Sequence, residues 1–143
     1  MAKGLTDDQK TTFRLLTDKF SLSKDDFFKA PQGFIIITRN GIEKIQRGMN
    51  LVVHFDVDES LCNVETGHYV ITAIAMRTQT VLNEKGKPEE VESYKESFGE
   101  ASPKNCRNSY PVAMAEKRAL SRVVLKSADL YEYGIKGQDE MEQ

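Results

Sequence analysis

The hydrophobic positions of this 143-residue chain switch between two spacings, and the switches mark its elements. In residues 5–20, LTDDQKTTFRLLTDKF, the apolar Phe13, Leu16 and Phe20 recur at helical intervals. Thr6 is placed to cap that helix, with acids in its first turn where the helix dipole favours them. SLSKDDFFKAPQG follows, with room for one short turn capped by Ser23 before Pro31 and Gly33 end it. The β-branched run FIIIT reads as a buried strand, and RNGIEKIQRGMN, with Ile42, Ile45 and Met49 on one side, as a short helix stopping near Gly48. LVVHFDVDE alternates Val52, His54 and Asp56 with Val53, Phe55 and Val57, so it predicts a strand with one wet face. HYVITAIAMRTQTV is the strongest strand signal. The turn residues of NEKGKPE then predict a hairpin whose second arm is EVESYKESFGEAS. Val91, Tyr94 and Phe98 break strict alternation in that arm, which predicts a bulge or a twist near Lys95.

Residues 108–131, NSYPVAMAEKRALSRVVLKSADLY, predict a long helix with Asn108 or Ser109 as N-cap and Pro111 in the first turn. The order of elements gives an α+β domain: an antiparallel sheet of three or more strands with the long C-terminal helix packed on one face, preceded by a short N-terminal helix. The expected boundaries are an N-terminal helical segment at 1–32, a core at 33–130 and an acidic flexible tail at 131–143, GIKGQDEMEQ being read as frayed.

Charge changes this picture. The net charge is −2, but residues 104–126 hold six cations against the single acid Glu116, and residues 29–48 hold Lys29, Arg39, Lys44 and Arg47 against Glu43. Acids gather at Asp56, Asp58, Glu59 and Glu65, in EEVESYKE, and after Lys126. On a helical wheel, Val112, Ala119, Leu120, Val123 and Val124 form a broad apolar face, with Arg118, Arg122 and Lys126 as a stripe beside it. Ala115 and Ala119 flank the stripe and leave room for another backbone or a phosphate chain; Lys117 lies on the other flank. Glu116 falls in the apolar face, where it needs a cation or an amide. A solvated helix face is the plain reading of such a stripe. Against it stand the scarcity of acids for i,i+4 pairing and the continuity with Lys104 and Arg107 of SPKNCR. A cation-lined groove binds a phosphate backbone without reading sequence, and Tyr69, Tyr94 and Tyr110 are available to stack bases.

Catalysis has little support. His54 and His68 have no neighbouring nucleophile, and NEKGKPEE lacks phosphate-loop spacing. Asp56, Asp58 and Glu59 read as a polar strand end before they read as ligands for a hard cation. Cys62 and Cys106 read as free thiols. No metal and no cofactor is expected. The opening MAKGLTDDQK lacks the apolar core of a signal peptide, and no apolar run suits a membrane span, so the expected address is the cytoplasm, or a host's cytoplasm for a phage protein.

Two segments, GEASPKN with YPVAMAEKRALSRVVLK, and FIIITRNGIEKIQRGMNLVVHFDV, occur in an order that resembles the Rad-fifty-two-like single-strand annealing proteins, a superfamily common in phages and their hosts. The resemblance covers roughly residues 33–130. It implies a β-β-β-α core, assembly into rings or filaments, and single-stranded DNA held in a positive groove between sheet and helix. Lys117 and Arg118 match the family's Lys-Arg pair, and the third cation falls at Arg122, with Ser121 at one alternative register. The expected function is therefore ATP-independent annealing of single-stranded DNA by a homo-oligomer in recombination or replication. The nucleic-acid-binding set is Lys117, Arg118, Arg122 and Lys126, aided by Lys104, Arg107, Arg39 and Lys44. Reversing the charges of Arg118 and Arg122 is expected to abolish binding and spare the fold. The alternative is an accessory interaction module of the same fold that binds an acidic protein partner.

Overall fold

The computed structural model describes residues 6–107 and 109–141. Helix α1 (Asp7–Phe20) opens on the expected cap: the Thr6 hydroxyl accepts from the Gln9 amide, and the Gln9 side chain accepts from the Thr6 amide in return. Two short strands follow, β1 (Phe27–Lys29) and β2 (Ile35–Ile37). Helix α2 (Arg39–Gly48) is capped by the Thr38 hydroxyl, which accepts from the Gly41 amide. Then come β3 (Val52–Val57), β4 (Tyr69–Leu82), β5 (Pro88–Ala101), helix α3 (Pro111–Ser127) and a last short strand, β6 (Ile135–Gly137).

The chain builds an α+β fold with two sheets. The larger is the antiparallel meander β3-β4-β5, and α3 lies across its β4-β5 half. The hairpin turn is set by Asn83, whose side-chain carbonyl accepts from the Lys85 and Lys87 amides, with Gly86 at φ +74°. Register between β4 and β5 is unbroken from Tyr69 opposite Ala101 to Leu82 opposite Pro88, so the bulge expected near Lys95 is absent. Its warning sign was apolar residues on both faces of β5. They are there because Val91, Tyr94 and Phe98 all lie exposed, and no core imposes alternation on this arm before its last few residues, where Gly99 and Ala101 are buried.

The row of β4 that faces α3 is Ile71, Ala73 and Ala75, all buried. Small side chains here let the helix come close, and the closest approach is at Gly99 on β5. A Cβ at that position would lie 2.2 Å from the Ala115 carbonyl oxygen and 2.4 Å from the Ala119 nitrogen. The alanines of the helix therefore serve a backbone of this same chain.

The FIIIT strand is not part of the meander. β2 pairs antiparallel with β1 and parallel with β6, in a small sheet that closes the other end of the core over α1 and α2. The supposed flexible tail is thereby corrected for residues 131–141: Ile135 and Asp139 are buried, and β6 is hydrogen-bonded to β2. Its acids suggested solvation, but Asp139 is held by Arg39 through two hydrogen bonds of 3.1 and 2.8 Å. Glu142 and the candidate cap Asn108 lie outside the described residues; the residue at the N-cap position is Tyr110. No helix among the described residues is long and apolar enough to cross a membrane.

Candidate nucleic-acid interface

The stripe of α3 is graded: Arg118 is buried, Arg122 is half-buried and Lys126 is exposed. Arg118 is only 2% exposed, against the expectation that it lies outside the core. Its Nε donates to the Asp139 carbonyl oxygen at 3.0 Å. Its Nη1 donates to the Glu100 carbonyl at 2.9 Å and to Asn105 Oδ1 at 3.1 Å, and its Nη2 to the Asn105 carbonyl at 2.5 Å. One guanidinium thus ties together the end of β5, the loop before α3 and the C-terminal segment. A buried arginine is tolerable only with such a full set of acceptors.

The next two cations repeat the device. Arg122 Nη1 donates to the Phe98 carbonyl at 2.9 Å, and Lys126 Nζ to the Glu96 carbonyl at 2.9 Å. Residues 118, 122 and 126 on the helix therefore meet carbonyls 100, 98 and 96 on the strand. The match has a geometric cause. Four residues of helix rise about 6 Å, and two residues of strand about 6.8 Å, so the two rows stay in step. These carbonyls point away from β4, along the outer edge of the sheet, and would otherwise be unpaired. Arg122 also pairs with both Glu100 carboxylate oxygens, at 2.8 and 3.1 Å, and its Nε lies 3.4 Å from Glu140. That arginine holds the Glu100 carboxyl below its usual range despite partial burial, and the carboxylate in turn raises Arg122. Burial and a hydrogen bond to Glu140 push the Tyr131 hydroxyl upward.

Two further expected contacts are also occupied. Arg39 is paired with Asp139, which raises its pKa. Lys44 sits 2.6 Å from Asp26. Burial alone would raise the Asp26 carboxyl, but Lys44 and the Ser23 amide and hydroxyl outweigh it and keep it low. Glu116, expected within the apolar face, is exposed, as is Val112; Met114, Ala115, Arg118 and Ser121 occupy the buried side instead.

What remains of the expected set divides between the two ends of α3. At its N-terminal end, Lys104 and Arg107 are exposed, with no ion pair or hydrogen bond to either side chain among the described residues. Lys117 there stands 5.8 Å from the centre of the Tyr110 ring. At the C-terminal end lies a cleft of about 490 Å³, where the last turns of α1, α2 and α3 converge on β4. Its walls carry Lys19, Lys44, Arg47 and Arg77, and the only acid among its lining residues is Asp129.

Of these cations only Lys44 was expected at the interface. Lys19 and Arg47 each occupy the last turn of a helix, where a cation complements the dipole. That is visible in sequence, but the convergence of the two helix ends is not. Arg77 carries a clearer signal: it follows buried Ile71, Ala73 and Ala75 on the same row of β4, an arginine where the pattern calls for another apolar residue. It has no helix end of its own to complement, and it faces the cleft beside Lys19, Lys44 and Arg47. No protein-family model, no curated protein and no solved structure matches the chain, so the resemblance to annealing proteins rests on the quoted segments alone.

Proposed function

We propose that the protein binds single-stranded nucleic acid by its phosphates in the cleft of Lys19, Lys44, Arg47 and Arg77, and promotes annealing without ATP as an oligomer in the cytoplasm. The observation that carries this reading is the gathering of four cations from three separate elements around one concavity in a chain of net negative charge: Lys44 is paired with Asp26, but Lys19, Arg47 and Arg77 have no carboxylate partner among the described residues, and Asp129 is the one acid in the lining. Such an arrangement attracts a polyanion through counterion release and reads no sequence. Holding each strand by its backbone leaves the bases free to test for complementarity, and duplex formation then drives the reaction. The resemblance to annealing proteins supports the same assignment, with its contacts moved from Arg118 and Arg122 to the cleft. Lys104, Arg107 and Lys117 form a second, flatter contact at the far end of α3.

Fluorescence anisotropy with labelled oligo-dT tests the proposal. The unmodified protein binds at low salt, with log affinity falling linearly against log salt. Arg47→Glu with Arg77→Glu reduces affinity at least about thirtyfold and flattens that slope by roughly 1.4, the share of two phosphate contacts on a single strand. If this variant binds normally while reversal of Lys104, Arg107 and Lys117 abolishes binding, the site moves to the other end of the helix. If the unmodified protein ignores oligo-dT at low salt but holds an acidic polypeptide, the accessory-module reading replaces this one.

A further inference from the structure

The outer edge of β3 is open. No strand among the described residues pairs with it, and it has neither lysine, proline nor a bulge, Asp56 being its one acid. The Asp58 amide donates to the Val70 carbonyl. Hydrogen bonding alternates along an antiparallel pair, so the even residues of β3 pair with β4. The amides and carbonyls of Val53, Phe55 and Val57 therefore point outward. The same odd residues present their side chains on the α3 side of the sheet, yet α3 covers only the β4-β5 half. Phe55 and Val57 are left 38% and 59% exposed. His54 and Asp56, both exposed, lie on the opposite face.

We infer that this edge receives β3 of a second copy of the chain, antiparallel, about a two-fold axis at Phe55. Two identical edges related by such an axis must meet antiparallel, and only a few registers let outward residues face outward residues. With Phe55 opposite Phe55, Val53 faces Val57 on both sides of the axis. Every outward N–H and C=O of the three residues gains a partner, and the apolar side chains form one unbroken row on the α3 side. On the other face, His54 of each copy stands opposite Asp56 of the other, so an imidazole–carboxylate contact is made twice. Sliding one copy by a pleat in one direction sets His54 against His54; sliding it in the other sets Asp56 against Asp56. Either slip also leaves an outward residue unpaired. Charge and apolar pattern thus select the same register. The resulting sheet runs β5-β4-β3 and then β3-β4-β5 of the second copy, and each of its outer edges is the one already capped by Arg118, Arg122 and Lys126. A larger assembly is then built from pairs. None of this depends on what the basic cleft binds.

Sedimentation equilibrium on the full chain tests the inference, with circular dichroism confirming that each variant is folded. The unmodified protein forms dimers, or assemblies with an even number of copies. Phe55→Asp is monomeric at concentrations where the parent is paired. His54→Asp sets two pairs of carboxylates against each other, and Asp56→His leaves two pairs of imidazoles without a carboxylate; each weakens association about tenfold. Combining the two restores both imidazole–carboxylate contacts in this register alone, and returns affinity to within about threefold of the parent. The inference is overturned by a parent that stays monomeric throughout the concentration range, by an odd-numbered ring, by single swaps that leave association unchanged, or by a double swap that is weaker still.

Discussion

The two edges of the main sheet solve the same problem in opposite ways. Along β5, successive outward carbonyls at Glu96, Phe98 and Glu100 are closed by cations from the chain's own helix. Along β3, outward groups at Val53, Phe55 and Val57 have no partner strand, and apolar side chains stay in view. One edge is sealed by the chain itself and the other is left bare. A basic stripe that looks like a binding surface is, at its centre, backbone satisfaction. In the reading proposed above, recognition falls to the bare β3 edge and to the cleft beyond the end of α3.

The sharpest way to break this contrast is to remove Arg118. Arg118→Ala leaves buried carbonyls at Glu100, Asn105 and Asp139 without a donor and frees the C-terminal segment. The expected loss is about 3–5 kcal/mol in chemical denaturation, with β6 losing amide-exchange protection first. Lysine cannot replace it, having no planar fork to reach three carbonyls at once. The charge-reversal experiment that sequence alone recommends at Arg118 and Arg122 would therefore unfold the protein and say nothing about nucleic acid. Second in size is Gly99→Ala. Its methyl would collide with backbone atoms of Ala115 and Ala119, which cannot swing aside as a side chain can. The helix must back away from the strand, at about 3 kcal/mol, read as a drop in melting temperature.

How much of this was legible in the sequence follows from the range of the interactions. The long hairpin, α3, the Thr6 cap and the short helix at 39–48 were readable because propensity, turn chemistry and periodicity act over a few residues. β1 and β6 were not, since three-residue strands carry no period and β6 exists only by pairing with β2, about a hundred residues away in the chain. The stripe is visible in the sequence, but its partners are not. An arginine beside an apolar face looks the same whether its acceptors are phosphates or carbonyls of a distant strand. The step match between residues 118, 122, 126 and 100, 98, 96 was available from the helix and strand rises alone, but only once α3 was known to lie along β5.

Arg122→Ala gives a smaller effect than Arg118→Ala, about 1–2 kcal/mol, because its guanidinium is partly solvated and its role is shared with neighbours. It also supplies a pH test. Glu100 has its carboxyl held below 4.5 in the folded state, by Arg122 first. On acidification the unfolded chain takes up this proton before the folded one does, so the contribution is present above about pH 4.5 and is lost as pH falls through the lower folded value. Asp26 acts in the same sense through Lys44 and Ser23. The melting temperature of the parent therefore falls as pH drops below 4.5. Glu100→Gln, which cannot titrate, falls less steeply; an unchanged slope would mean that the carboxylate–Arg122 pair contributes nothing to the sealed edge.

The smallest effect sharpens the comparison from the other side. Val57→Thr keeps shape and β-propensity but places a hydroxyl on the open edge. Val57 is 59% exposed, so the subunit itself has little to lose. Its unfolding free energy, measured at a dilution where only monomer is present, changes by no more than about 0.5 kcal/mol. At high concentration the same substitution lowers the melting temperature, because a paired β3 buries that side chain against Val53 of the second copy, and stability then depends on association. The closed edge behaves otherwise: Arg118→Ala costs the same at every concentration, since its acceptors belong to its own chain. A concentration-independent melting temperature for both the parent and Val57→Thr would erase the distinction between the two edges.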